Sequence, residues 1–156
     1  MTRYYSENAL RRIKSAKNYQ ELLIVAIEVL DAMRDQNPRK PIAMVCGPIS
    51  TGGMNSREAN LRIFSRAIDR ISTDGLLVFS QMPFEDDMGR IYKSDPALQV
   101  LKLLEEFYLP IFELRFIKLL CFLPGWEKSV GASWEHKQAK TLGIPIIYLA
   151  DSYIAD

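Results

Sequence analysis

The sequence predicts an α/β fold: a doubly wound, mainly parallel sheet of four to five strands, flavodoxin- or Rossmann-like, with an added N-terminal helical segment. Three observations predict it. Four short apolar runs, 42–46, 76–79, 116–123 and 144–149, have the length and bounding turns of buried strands. The segments between them carry apolar residues at three- and four-residue spacing, which is the helical period. Residues 1–36 show that period with no strand among them. Strands alternating with helices favour parallel pairing with helices on both faces. Right-handed crossovers then bring the loops after the first and third strands together at a switch point. The expected organisation is an N-terminal helical extension over 1–37 and an α/β domain over 41–156.

The elements follow in chain order. Ser6 can cap a short amphipathic helix bearing Leu10 and Ile13, and Asn18 starts a second with Glu21 at the capping-box position. The second helix is apolar around most of its circumference, from Leu22 to Met33. Such a helix is expected to make contacts on more than one side, either within the chain or as a homo-oligomer interface. Residues 37–41 read as a linker before the first strand. Asn55 or Ser56 caps the next helix, whose stripe is Ile63, Phe64, Ala67, Ile68 and Ile71, and Asp74-Gly75 ends it before the second strand. Residues 80–94 are polar and read as a long irregular loop, a kind that is often functional. Asp95-Pro96 reads as a helix start, and Pro110 as the break or kink in that helix. After the third strand and its Pro-Gly turn, a helix runs from Ser129 to near Gly143, and the fourth strand follows.

Composition excludes several classes. With 20 basic and 19 acidic residues, and no basic run interleaved with aromatics, a nucleic-acid polymer is not the expected partner. No apolar run is long enough to span a bilayer, so no membrane partner is expected and the location is expected to be cytoplasmic. One histidine and two cysteines, Cys46 and Cys121, do not make metal-ligand spacing, so no metal is expected. Both cysteines fall in apolar strands and read as buried, reduced thiols.

Chemistry concentrates in two places. On the helix after Ser129, Glu135 shares a face with Gly131, Ala132, Ala139 and Leu142, while His136, Lys137 and Lys140 take the opposite side and read as surface. A solvated glutamate belongs with the lysines, and this one points toward the sheet. The second place is the loop Gly47-Pro48-Ile49-Ser50-Thr51-Gly52-Gly53, which follows the first strand. Its glycines allow close backbone approach, and its N–H groups and the following helix N-terminus suit an anion. The loop has neither the Walker nor the dinucleotide-binding spacing, and a plain turn leaving a strand is the alternative. Asn60, on the loop side of the next helix, reaches either a ligand or a backbone group. Trp126, in the turn before Ser129, either walls a pocket or packs.

The arrangement Ser129-x-Gly131-x-x-x-Glu135, together with the loop 47–53, resembles the nucleoside 2-deoxyribosyltransferases and the related 2'-deoxynucleoside 5'-phosphate N-hydrolases over roughly 41–149. The form PGWE-x-S-x-GA-x-x-E is most similar to a bacterial and phage branch of that superfamily. The resemblance implies a small-molecule nucleoside or nucleotide as substrate, with Glu135 as nucleophile and Ser129 as its orienter. It implies that residues 47–53 hold the sugar and any 5'-phosphate, that no cofactor is needed, and that sites can be shared across an oligomer. In the transferases an aspartate near the start of the third strand helps the base depart. Its matching position here is Lys118, so the resemblance leaves Asp86 or Asp87 as the acid, or a non-catalytic nucleotide-binding module that retains the pocket.

Overall fold

The computed structural model describes residues 3–49, 56–94 and 100–155. Its central feature is a four-stranded sheet, β1 (Ile42–Cys46), β2 (Leu77–Val78), β3 (Ile117–Phe122) and β4 (Ile146–Tyr148), in the order β2-β1-β3-β4 with every pair parallel. The chain is therefore doubly wound, with β1 and β3 side by side at the switch point. Every residue of β1 is buried, as expected for an inner strand of a parallel sheet. The ladder runs past the strand ends: Leu123 N–H donates to Cys46 O and Leu149 N–H to Phe122 O, each at 2.8 Å. Near its start the β1–β3 register slips, with Ile42 opposite Ile117 and Ala43 opposite Leu119. Lys118 is the extra residue of that irregularity.

Two helices belong to the same unit. α3 (Arg57–Thr73) follows β1, and α7 (Val130–Leu142) follows β3; right-handed crossovers to β2 and β4, on opposite sides of the centre, place them on opposite faces. Ser56 caps α3, its hydroxyl accepting from Ala59 N–H at 3.0 Å, and Phe64, Ala67, Ile68 and Ile71 form the buried stripe. α7 begins at the Ser129 cap and ends at Gly143, whose left-handed φ of 71° fits glycine. After β4 the short turn Asp151–Tyr153 is tied to α3: Arg66 donates to Ile154 O at 3.1 Å, and Tyr153 donates to Asp74 at 3.0 Å.

The chain divides into two compact units, 40–79 with 117–156, and 1–39 with 80–116. This division differs from the one drawn from the sequence, because residues 80–116 group with the N-terminal helices rather than with the sheet. The second unit is helical: α1 (Glu7–Ser15), α2 (Tyr19–Gln36), α4 (Glu85–Ser94), α5 (Val100–Leu103) and α6 (Leu109–Glu113). Ser6 and Asn18 cap α1 and α2 as their positions suggest, while Glu21 accepts from Lys17 N–H at 2.7 Å. Phe84 forms the centre, with ring centroids 5.8 Å from Tyr5 and 5.2 Å from Phe107. α2 buries Leu22, Val25, Val29, Leu30 and Met33 inside this unit and leaves Ile24 53 % exposed.

One expectation is corrected here, and another is narrowed. Residues 80–94 are not an irregular loop: a single 3-10 turn, Met82–Phe84, leads into α4. Phe84, Met88 and Ile91, four and three residues apart, supply the buried face, and three acidic residues stand in the first turn, where the helix dipole favours them. Of the break or kink expected at Pro110, the break is absent. A π-helical turn, Leu104–Tyr108, precedes it, and Leu109 N–H donates to Leu104 O five residues back. The wider turn absorbs a ring that would otherwise collide with a carbonyl four residues earlier, and the helix continues as α6. The proposed helix start at Asp95-Pro96 lies outside the described residues. Among the described residues, no helix is long and apolar enough to cross a membrane.

Candidate functional site

The C-terminal ends of β1 and β3 carry the site. Beyond Cys46 the chain turns at Gly47, and beyond Phe122 it passes Leu123 and Pro124 into a short turn, Trp126–Lys128, and then α7. Gly47 lies against Leu123: a Cβ placed there would come within 2.5 Å of Leu123 Cδ1 and 2.9 Å of its Cβ. Glycine is thus required by close approach of two neighbouring strand ends. Pro48 and Ile49 follow, and Asn60 of α3 donates its side-chain amide to Ile49 O at 2.9 Å. Of the two roles open to Asn60, this contact supplies the backbone one. Ser50, Thr51, Gly52 and Gly53 lie outside the described residues.

Glu135 sits on the inward face of α7 with Ala132 and Ala139 and is only 7 % exposed. Its charge acts on the Cys46 thiol, on the last residue of β1. Burial, reinforced by that carboxylate, pushes the Cys46 thiol well above its usual range, so it stays protonated. Cys46 pairs with Phe122 and Cys121 with Val45, so the two thiols project to opposite faces of the sheet, and both are free. Burial likewise raises Cys121, to about 11.

Ser129 is buried, and its hydroxyl accepts from Ala132 N–H at 3.1 Å as the N-cap of α7. The cap uses an oxygen lone pair and leaves the O–H to donate. Gly131 lies half-buried in the first turn of the same helix. These residues, with Gly47 and Glu135, come from one unit and one end of its sheet.

Trp126 packs differently from a free-standing pocket wall. Its ring stacks on His136 at 4.1 Å between centroids, 20° from parallel. His136 Nε2 is 2.7 Å from Tyr148 Oη, and Phe122 meets the imidazole edge-on at 5.1 Å. His136 is therefore half-buried at the surface and held by aromatic partners rather than free beside the lysines. Its pKa falls below the ordinary value, first through burial and then through the charge of Lys140, with Glu127 opposing. No spacing rule links 126, 136 and 148, and the turn–helix–strand geometry brings them together.

Lys118 does not lie at this site. It is the irregular residue near the start of β3, exposed, and four residues, or roughly 13 Å of strand, from Phe122. Asp86 and Asp87, the alternative acids, are in the first turn of α4, where Asp87 pairs with Arg90 at 2.9 Å. Among the described residues, no group of three or more His, Cys, Asp or Glu is placed to hold a metal ion. A separate depression of about 410 Å³ is lined by Asp69, Arg70, Thr73, Asp74, Ser152 and Tyr153. Its polar groups serve the C-terminal turn, through Tyr153 to Asp74 and Arg70 to Ser152 O.

A family model described as a domain of unknown function, DUF4406, matches residues 43–148. The chain belongs to this family. The DUF4406 span starts in β1 and ends at the last residue of β4, so it contains the sheet, Gly47, Ser129, Glu135 and the aromatic cluster, while α1 and α2 lie outside it. No curated protein and no solved structure matches the chain.

Two predictions follow from this geometry. Gly47→Ala should destabilise the protein by about 1–3 kcal/mol in urea unfolding, and Leu123→Ala added to it should recover part of the loss. A Gly47→Ala protein as stable as wild type would show that the strand ends move apart freely. For His136, the folded state favours the neutral ring. Its contribution is present above the unfolded pKa and is lost as pH falls through the lower folded one. Acid titration should quench Trp126 fluorescence with a midpoint below the usual histidine value, and His136→Gln should remove that transition while Trp134 remains as background.

Proposed function

We propose that this protein cleaves or transfers at the N-glycosidic bond of a (deoxy)nucleoside or its 5'-monophosphate, with Glu135 as nucleophile. The observation that carries the reading is a carboxylate buried on the inward face of α7 at the switch point of a doubly wound sheet. Charged side chains are rarely buried unless paired or functional, and ligands of open parallel sheets bind outside the C-terminal strand edge. The resemblance of Ser129, Gly131 and Glu135 to the deoxyribosyltransferase pattern supplies the substrate class.

In this reading a Glu135 oxygen attacks the anomeric carbon as the N-glycosidic bond breaks. The bonding pair leaves with the base, which takes up a proton. Water or a second base then opens the glycosyl ester and restores the carboxylate. Ser129, through its O–H, holds the carboxylate or a sugar hydroxyl, and the loop from Gly47 surrounds the 5' side of the sugar. Trp126 closes the aromatic side of the site. The chemistry needs no metal or redox cofactor. Self-association through the N-terminal helices belongs to the same proposal and rests on the exposed Ile24 of α2.

Wild type incubated with nucleosides, deoxynucleoside 5'-monophosphates and NAD should release free base, detected by chromatography. Glu135→Gln should lose at least about ten-thousand-fold of that activity, as removal of a nucleophile does. Undiminished release by the variant would sink the assignment of Glu135. Ligand binding without release of base from any member of the panel would instead favour the non-catalytic nucleotide-binding module. In sedimentation the wild type should run as an oligomer and Ile24→Glu as a smaller species; a monomeric wild type would remove the interface.

A further inference from the structure

We propose that the outer edge of β4 is an interface with a second copy of this chain, the two β4 strands pairing antiparallel about a two-fold axis at Ile147. The inference goes beyond the proposed reaction and depends neither on it nor on Ile24.

β4 is the last strand in the order β2-β1-β3-β4, so one of its sides has no strand partner. In a parallel ladder, alternate residues turn both backbone groups toward the same neighbour. Leu120 N–H donates to Pro145 O at 3.0 Å and Leu149 N–H to Phe122 O at 2.8 Å, so Pro145, Ile147 and Leu149 face β3. Ile146 and Tyr148 therefore turn their N–H and C=O groups to the open side. Pro145 takes no donor from that side, because its missing N–H belongs to the side of β3. Proteins ordinarily blunt such an edge with charges, a bulge or extreme shortness. The opposite edge, β2, is a two-residue strand with half-buried side chains. β4 instead pairs with β3 without a register shift, and residues 141–150 contain no charge.

The side chains at this edge are open as well, with Ile147 43 % and Tyr148 58 % exposed. Tyr148 is exposed yet held: its Oη is 2.7 Å from His136 Nε2, and its ring lies 6.1 Å from that of Trp126, 25° from parallel. A ring already fixed in place loses little further freedom when a partner covers it.

Symmetry and charge select a second copy as that partner. Ile146 and Tyr148 stand evenly about Ile147, so a two-fold axis there lets Ile146 and the partner's Tyr148 exchange both of their backbone bonds. The same pair brings an aromatic ring against a β-branched side chain across the strands, a favourable match. Lys140 precedes the uncharged stretch and Asp151 follows it, and both are exposed. Antiparallel pairing sets the acidic end of one strand beside the basic end of the other. So short a strand pair buries less than a permanent dimer needs, which makes the association concentration-dependent.

Sedimentation velocity of the full chain carrying Ile24→Glu, which removes any contact through α2, tests the edge alone. This parent should dimerise as its concentration rises to about 100 μM. Ile147→Lys and Ile147→Glu, each checked for folding by circular dichroism, set like charges face to face at the axis. Each should weaken dimerisation at least about tenfold, and mixing the two should restore it. Facing residues of a non-hydrogen-bonded antiparallel pair lie within disulfide reach. Ile147→Cys should therefore cross-link two chains on mild oxidation, and Lys137→Cys, at an exposed position of α7, should not. Cys46 and Cys121 are buried and do not compete. If a charge variant fails to fold, the two cysteine variants decide the matter. A parent that stays monomeric, a dimer indifferent to both charges, or equal cross-linking of the cysteine variants would overturn the interface. Loss in both charge variants without recovery on mixing would overturn the two-fold axis at Ile147.

Discussion

The parallel pairing of β1 with β3 is the constraint on which the site depends. It places Cys46 opposite Phe122 and carries one bond further, from Leu123 N–H to Cys46 O, so both strands end level. At that level the chains leave in different directions, one into the loop at Gly47 and one into the turn before α7. The approach of Leu123 leaves no room for a side chain at Gly47. Everything of chemical interest follows from this edge. The Ser129 cap starts α7 there, and the helical repeat returns Glu135 to the face that looks back at β1.

Burying a carboxylate next to a thiol is an unusual choice for a core. An apolar pair of similar volume would pack as well and cost no desolvation. The fold instead keeps a carboxylate at the sheet edge, on a helix whose N-terminus is locked by its own serine. The neighbouring aromatic cluster extends the same principle. Trp126, His136 and Tyr148 come from a turn, a helix and an edge strand, and their stacking joins three connections that backbone hydrogen bonds alone do not join.

Much of the α/β frame was legible in the sequence because it rests on local signals. Ser56 and Ser129 mark helix starts, Gly143 marks a stop, and the four apolar runs mark the strands. The inward aim of Glu135 was legible because a helical period relates it to Ala132 and Ala139. Other features depend on contacts that no period reveals. The stripe Phe84, Met88 and Ile91 is interrupted by Asp86, Asp87 and Gly89, so α4 looks like a loop until its burial is known. Pro110 signals a break, but a π-helical turn upstream relieves the clash. The irregular position of Lys118 near the start of β3 is likewise set by strand register, which no local signal gives. His136 is hidden for the same reason, since its partners are distant in sequence.

The strand order has a further consequence for how the protein comes into being. β1 is an inner strand, yet its longest partner, β3, lies roughly 70 residues later in the chain, beyond all of 80–116. At ribosomal speed that separation corresponds to about 4–14 s of synthesis. During that interval β1, apolar on both faces, has only the two-residue pairing with β2 to occupy one edge. The insertion of a helical segment between β2 and β3 therefore makes the nascent chain hold an open, sticky strand before its sheet can close. Contacts this remote in sequence are also the slowest to form in a free chain. The same edge that is later sealed by Leu123 and becomes the site is, at birth, the part of the molecule most in need of protection.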